Sequence, residues 1–141
     1  MSDKIWLGAI YLKDEGGYEI VLKSLNHYKK RLKNLGSSPE LKDSSAMFGS
    51  LLQQEAMKTI PKIDEVIKKI QEGLSDTALL YSLSENRSFL AKALACYEAD
   101  IKKAQDTGHE YFLKLVGNLP LVKNDLEIIK NALGKINQFS D

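Results

Sequence analysis

Cysteine and long apolar runs are both scarce in this sequence of 141 residues. Its single cysteine, Cys96, cannot form an internal disulfide, which favours a reducing compartment, and we expect a cytoplasmic protein. The apolar stretch at residues 5–12 is much shorter than the ~20 residues that a helix needs to cross a bilayer. We therefore expect no membrane partner.

An excess of charge of either sign is also absent. The 20 basic and 19 acidic residues give a formal net charge of +1, so the chain as a whole is not attracted to nucleic acid or to an anionic membrane. Hydrophobic residues make up 43% of the chain and charged residues 28%, as in globular rather than disordered proteins. At this length we expect one domain over residues 1–141.

Several catalytic and cofactor motifs are missing. The sequence has no Glu-x-x-His, the pair that supplies ligands to di-metal sites in four-helix bundles. The Glu-x-x-Asp pattern that would hold magnesium on a helix occurs only at Glu40 and Asp43, in a predicted loop. No glycine-rich phosphate loop occurs, and no serine or cysteine nucleophile has a histidine near it in a recognisable arrangement. Enzymatic activity stays an open question, but these absences argue against it and predict no cofactor.

Apolar residues recur at the spacing of a helix that packs against other helices. In the first thirty-five residues the spacing alternates between four and three, and eight of the nine positions are apolar or aromatic. These positions are Leu7, Tyr11, Asp14, Tyr18, Val21, Leu25, Tyr28, Leu32 and Leu35. The phase is the same on both sides of Gly16-Gly17, which predicts one helix over about residues 3–35 with a kink at the glycines.

Three further segments, which begin near residues 44, 76 and 109, show similar spacing. Together the four segments predict an all-α, up-down-up-down bundle of about four long helices. We expect kinks near Gly16-Gly17, Pro61 and Pro120. The alternative is an array of shorter helical hairpins, because the breaks between segments recur about every 36 residues.

Two charged residues occupy predicted core positions, Asp14 in the first helix and Arg87 in the third. In the predicted bundle they lie at the same level on helices that run parallel across the core. A buried charge costs several kcal/mol unless it is paired. We therefore expect Asp14 and Arg87 to form a buried ion pair, or to open a polar pocket in which Arg87 binds an anionic ligand. If the helix boundaries are displaced, both side chains are exposed instead.

The C-terminal end of the first helix is basic. Its cations are Lys23, Lys29, Lys30, Arg31 and Lys33, and no acid occurs between Glu19 and Glu40. Cations at a helix C-terminus interact favourably with the helix dipole, so a solvated face is one interpretation. The other is a patch that binds the phosphate backbone of nucleic acid or an acidic partner.

The first helix also carries apolar residues outside its core-facing stripe. One face of a bundle cannot bury all of them, so they are candidates for an interface with a second chain. These residues are Trp6, Ile10, Ile20 and Leu22.

A lesser candidate for a metal site is Asp106-x-x-His109, which has the spacing of two ligands on one helix but contains Gly108. The alternative is a turn, with Asp106 at the end of one helix and His109 at the beginning of the next. We favour the turn and predict no metal.

The function that these patterns favour is a non-enzymatic interaction or assembly module. It would bind another protein, or a second copy of itself as a homodimer, through an exposed helix face. The alternative is a small intracellular enzyme or ligand-binding protein with a polar site near Asp14 and Arg87. A weak nucleic-acid binder that uses the basic end of the first helix comes third.

Overall fold

The computed structural model describes residues 7–34, 46–117 and 122–136 of the chain. Within these ranges every regular element is helical, which confirms the predicted all-α class. The elements are α1 (Leu7–Asp14), α2 (Tyr18–Lys33), α3 (Ala46–Gly73), α4 (Thr77–Ser82), a 3-10 turn (Leu83–Asn86), α5 (Arg87–Thr107), α6 (Glu110–Val116) and α7 (Asp125–Ile136).

The helices pack around one apolar core to which each described α-helix contributes side chains. α5 is a large contributor, because Leu90, Leu94, Tyr97 and Ile101 follow the four-three-four spacing and are all buried. α2 packs against both α3 and α5, and α7 packs against α1 and α5. The apolar spacing therefore identified most of the core-facing residues of α5 correctly. The up-down-up-down order and the single domain stay predictions.

The first predicted helix is broken at the glycines rather than kinked. α1 ends at Asp14, and Gly16 has a φ of +73°, a left-handed conformation that glycine adopts without the steric penalty of a side chain. The backbone N–H of Gly17 then donates to the carbonyl oxygen of Tyr11 at 3.0 Å, which closes the turn. The expectation of one continuous helix over residues 3–35 is wrong. α1 and α2 nevertheless pack on the same core.

The other predicted interruptions of the helices have different outcomes. The 3-10 turn Leu83–Asn86 divides the predicted third helix into α4 and α5. Pro61 lies inside α3, which continues through it, so the hairpin array that required a helix end there is not favoured. A kink at Pro61 stays a prediction, and Pro120 lies outside the described residues.

None of the helices in the described ranges combines the length and the apolar character that a membrane span requires.

Gly17→Ala is expected to lower the free energy of unfolding by about 1–3 kcal/mol, because its Cβ would overlap the buried ring of Tyr11. Gly134→Ala in α7 is the matched control, since a Cβ there meets no atom within 4 Å. Alanine at that position should be neutral or stabilise the helix by up to about 1 kcal/mol. Urea denaturation of both variants measures the difference. A Gly17→Ala variant as stable as the wild type would contradict this packing.

Candidate functional site

Three nitrogen-bearing side chains on α2 share one face of the helix. Lys23, His27 and Arg31 are spaced four residues apart, and side chains at this spacing lie above one another on a helix. They meet two buried carboxylates, Asp100 on α5 and Asp125 at the start of α7. The result is a row of charged groups between α2 and the helices that cover it.

At the middle of this row, Nε2 of His27 lies 2.7 Å from Oδ2 of Asp100. Only 4% of the His27 side chain and 2% of the Asp100 side chain are exposed. A carboxylate oxygen accepts hydrogen bonds, so the imidazole N–H donates in this contact. Nε of Arg31 lies 3.6 Å from the same oxygen. Asp100 is therefore a buried carboxylate with two nitrogen partners from one helix, which offsets its desolvation.

The guanidinium of Arg31 also contacts residues of α6. Its Nη1 donates to the hydroxyl of Tyr111 at 2.9 Å, and that hydroxyl donates to the backbone carbonyl of Asn34 at 3.0 Å. The guanidinium carbon lies 5.3 Å from the ring centroid of Tyr111 and 5.4 Å from that of Phe112. These distances are those of cation–π contacts, so α6 fixes the guanidinium in place.

At the other end of the row, Nζ of Lys23 lies 2.6 Å from Oδ2 of Asp125. The hydroxyl of Tyr97 donates to the same oxygen at 2.8 Å, and the rings of Tyr97 and His27 lie 4.8 Å apart. Burial, followed by the hydrogen bond to Asp125 and its negative charge, raises the pKa of Tyr97 well above its usual value. Tyr97 is thus a neutral donor that connects the two carboxylate contacts. We call Lys23, His27, Arg31, Tyr97, Asp100 and Asp125 the polar network.

The polar network reaches a surface cleft at each end. Lys23 and Asp125 line a cleft of about 390 Å³ beside the turn between α1 and α2. Tyr11 also lines it, and burial and then the charge of Glu15 raise the pKa of Tyr11. Beyond Arg31, Tyr111 lines a second cleft of about 540 Å³ between the ends of α2 and α6. Buried charged groups thus lie next to solvent-accessible space on both sides of α2.

Cys96 lies one helical turn before Asp100 on α5, with its Sγ 4.0 Å from Oδ2 of that residue. His27, Cys96 and Asp100 each offer one atom that can ligate a metal, and these atoms all lie within 4.8 Å of one another. The negative charge of Asp100 disfavours the thiolate, and Nε2 of His27 contacts Asp100 rather than the thiol, so the arrangement does not favour a cysteine nucleophile. The three side chains are better suited to act together as metal ligands.

The expected buried pair of Asp14 and Arg87 is wrong. Asp14 is exposed as the last residue of α1, and Arg87 is half-buried at the start of α5. The regular spacing assigned Asp14 to the core because it assumed a continuous helix. The buried faces of α1 and α2 are instead set independently on each side of the Gly16 turn.

Most of the predicted basic patch is engaged within the chain. Lys23 and Arg31 belong to the polar network, and Nζ of Lys29 lies 2.7 Å from Oδ1 of Asp64. Nζ of Lys30 donates to the carbonyl of Lys114 at 3.0 Å, near the C-terminal end of α6, where a cation is favourable. Lys33 is exposed at the end of α2. Most of the positive charges on which the nucleic-acid hypothesis was based therefore have partners within the chain.

The predicted interface on the first helix is only partly described. Ile20 is buried in the core, so its assignment to an exposed face is wrong. Leu22 is half-buried and packs against the same core. Trp6 lies outside the described residues. Ile10 lies in α1, where the structure describes its backbone but not its side chain.

The Asp106–His109 segment forms the turn that we favoured. Gly108 has a φ of +62° and caps α5, and His109 is the N-cap of α6. Nδ1 of His109 accepts a hydrogen bond from the backbone N–H of Tyr111 at 3.1 Å. This nitrogen is used in helix capping.

Sequence reasoning did not find the polar network, although a signal was present. On α5, Asp100 lies one position before Ile101 of the main apolar stripe. On α2, Ser24, His27 and Arg31 repeat the three-four spacing one position before the apolar stripe. This spacing indicates polar positions beside the core on both helices, although it does not show that the two helices face each other.

A separate exposed surface lies on α3. α3 has 28 residues and α2 has 16, so at 1.5 Å per residue α3 is about 18 Å longer than the helix it packs against. Between residues 50 and 62 only Ala56 is buried. Leu51 is 55% exposed and Met57 is 74% exposed. We call residues 50–62 the α3 overhang.

Comparison of the chain with protein-family models, curated proteins and solved structures finds no match. Its function is therefore inferred from its own side chains.

Asp125→Ala is expected to lower the free energy of unfolding by about 1–3 kcal/mol, because it leaves the buried hydroxyl of Tyr97 without its acceptor. Asp125→Asn should cost less, since its amide oxygen can still accept that hydrogen bond. Glu127→Ala, an exposed acid in the same turn of α7, is the control and should change stability by less than about 0.5 kcal/mol. Chemical denaturation measures all three. Equal losses for alanine and asparagine would contradict the role of this hydrogen bond.

Proposed function

We propose that the protein is a non-enzymatic assembly module, and that two copies of the chain associate through the α3 overhang. The observation that carries this proposal is the exposure of Leu51 and Met57 on a helix that extends past its neighbour. Large exposed apolar side chains on one element indicate an interaction surface when they form a common face.

Leu51 and Met57 lie at the two edges of such a face. At 100° per residue they are about 120° apart around the helix axis, with Gln54 and Pro61 between them. A face about 100° wide is what an amphipathic helix buries against a partner. Lys58 also lies on this face, about 20° from Leu51 around the helix axis, and Glu55 lies 3.7 Å from it within the same helix. A second overhang could therefore pack there without burying an unpaired charge.

The expected association is weak. Burial of a leucine that is 55% exposed or a methionine that is 74% exposed contributes about 1–2 kcal/mol, so the four such side chains of a dimer contribute about 4–8 kcal/mol. Part of this is offset by the cost of association. The gross contribution alone would correspond to a dissociation constant between about 1 μM and 1 mM, and the cost of association moves it toward the millimolar end, which suits reversible assembly. The single cysteine, Cys96, supports a reducing compartment, and we place the module in the cytoplasm.

Sedimentation equilibrium over a wide concentration range tests the proposal. The wild type should pass from monomer to dimer, and a variant with both Leu51→Glu and Met57→Glu should need at least about a hundredfold higher concentration. The double variant should keep its melting temperature as a monomer, because both side chains are exposed. Ile128→Glu, on α7, is the control because Ile128 is 45% exposed but lies outside the α3 overhang.

A wild type that remains monomeric at the highest concentration would contradict self-association. A dimer that Ile128→Glu weakens as much as the double variant would place the interface elsewhere.

A further inference from the structure

We infer that His27, Cys96 and Asp100 form a binding site for a divalent transition-metal ion of the zinc or cobalt class. Cys96 and Asp100 are four residues apart on α5, so both point from the same face of the helix. His27 reaches them from α2, with its Nε2 beside the Asp100 carboxylate. One nitrogen, one sulfur and one oxygen lie within 4.8 Å of one another.

The ligand types determine the class of ion. A thiolate and an imidazole favour zinc and its neighbours in the first transition row, whereas magnesium and calcium require sites built from oxygen. Three protein ligands with a fourth position left for water are a known zinc arrangement. The set therefore favours Zn²⁺ or Co²⁺ over the hard cations.

Only small movements are needed to bind the ion. Zinc lies about 2.0–2.3 Å from such ligands, so tetrahedral coordination places the ligand atoms about 3.3–3.8 Å apart. The present separations are 2.7 Å between His27 and Asp100 and 4.0 Å between Cys96 and Asp100. The third separation, between His27 and Cys96, is within 4.8 Å. The separations therefore change by about 1.5 Å or less, within the range of side-chain rotation.

The charges around the site are compatible with a dication. The metal binds cysteine as the thiolate, so Cys96 and Asp100 together supply two negative charges. Arg31 is held independently by Tyr111 and Phe112, and can keep its contact with the Asp100 carboxylate. A donor that orients a ligating carboxylate in this way is common around metal centres.

The site also has a route to solvent. His27 and Asp100 are buried, whereas Cys96 is half-buried, so an ion can enter on the side of the thiol. Because the ligands come from two helices, bound metal would join α2 to α5.

Titration of the reduced full-length protein with Co²⁺ tests the inference. The chain has one cysteine, so a thiolate-to-cobalt charge-transfer band in the near-ultraviolet can arise only from Cys96. We expect this band to saturate at one cobalt per chain, to disappear on addition of Zn²⁺ and to be absent in Cys96→Ser. Zn²⁺ at about 100 times its dissociation constant should raise Tm by about 5–10 °C.

Variants of the other ligands show whether all three act together. His27→Gln and Asp100→Asn should each weaken cobalt binding by at least about tenfold to a hundredfold, the loss that even supporting residues of metal sites cause. His109→Gln, which changes an exposed histidine of α6, is the control and should bind as the wild type does. If His27→Gln does not fold, X-ray absorption of the zinc-loaded wild type should show one sulfur and an imidazole among the ligands.

Two results would overturn the inference. One is a folded wild type that shows no charge-transfer band in excess Co²⁺. The other is a band of full strength and unchanged affinity in both His27→Gln and Asp100→Asn, since the ion would then bind the thiol alone.

Discussion

The buried contact between His27 and Asp100 is the constraint on which the arrangement of α2 depends. Both side chains are almost fully buried, and a carboxylate in that position is strongly destabilising unless nitrogen donors meet it. Apolar contacts alone would allow α2 to slide or rotate on α5 at modest cost, because they are not directional. The hydrogen bond permits one register, in which Arg31 reaches the same carboxylate and Lys23 reaches Asp125.

The other local features are consistent with this register. The left-handed turn at Gly16 separates α1 from α2, so that α2 can take its own orientation while Tyr11 and Leu12 stay in the core. α6 fixes Arg31 through Tyr111, and α7 begins at Asp125, the acceptor for Tyr97 and Lys23. The α3 overhang supplies no residue to the polar network, and it is the surface that we assign to assembly.

Apolar spacing was sufficient to predict the helical class and much of the core, because burial is averaged over many side chains. Single charged positions were harder to predict. Asp14 was assigned to the core because the shared phase concealed the break at Gly16, where one left-handed φ ends the helix. Asp100 was missed because its partner lies 73 positions away in the chain, and no local pattern encodes which helix faces it. The basic residues of α2 were visible, but their acceptors on α3, α5, α6 and α7 depend on tertiary packing.

A double-mutant cycle between His27 and Asp100 tests the central claim most directly. Free energies of unfolding of the wild type, His27→Ala, Asp100→Ala and the double variant give the coupling between the two side chains. Our account predicts a coupling of about 1.5–3 kcal/mol, the range for a hydrogen bond to a charged group, with each single variant less stable than the wild type. A coupling below about 0.5 kcal/mol would contradict it, because the two residues would then contribute independently and the position of α2 would be set by apolar packing alone.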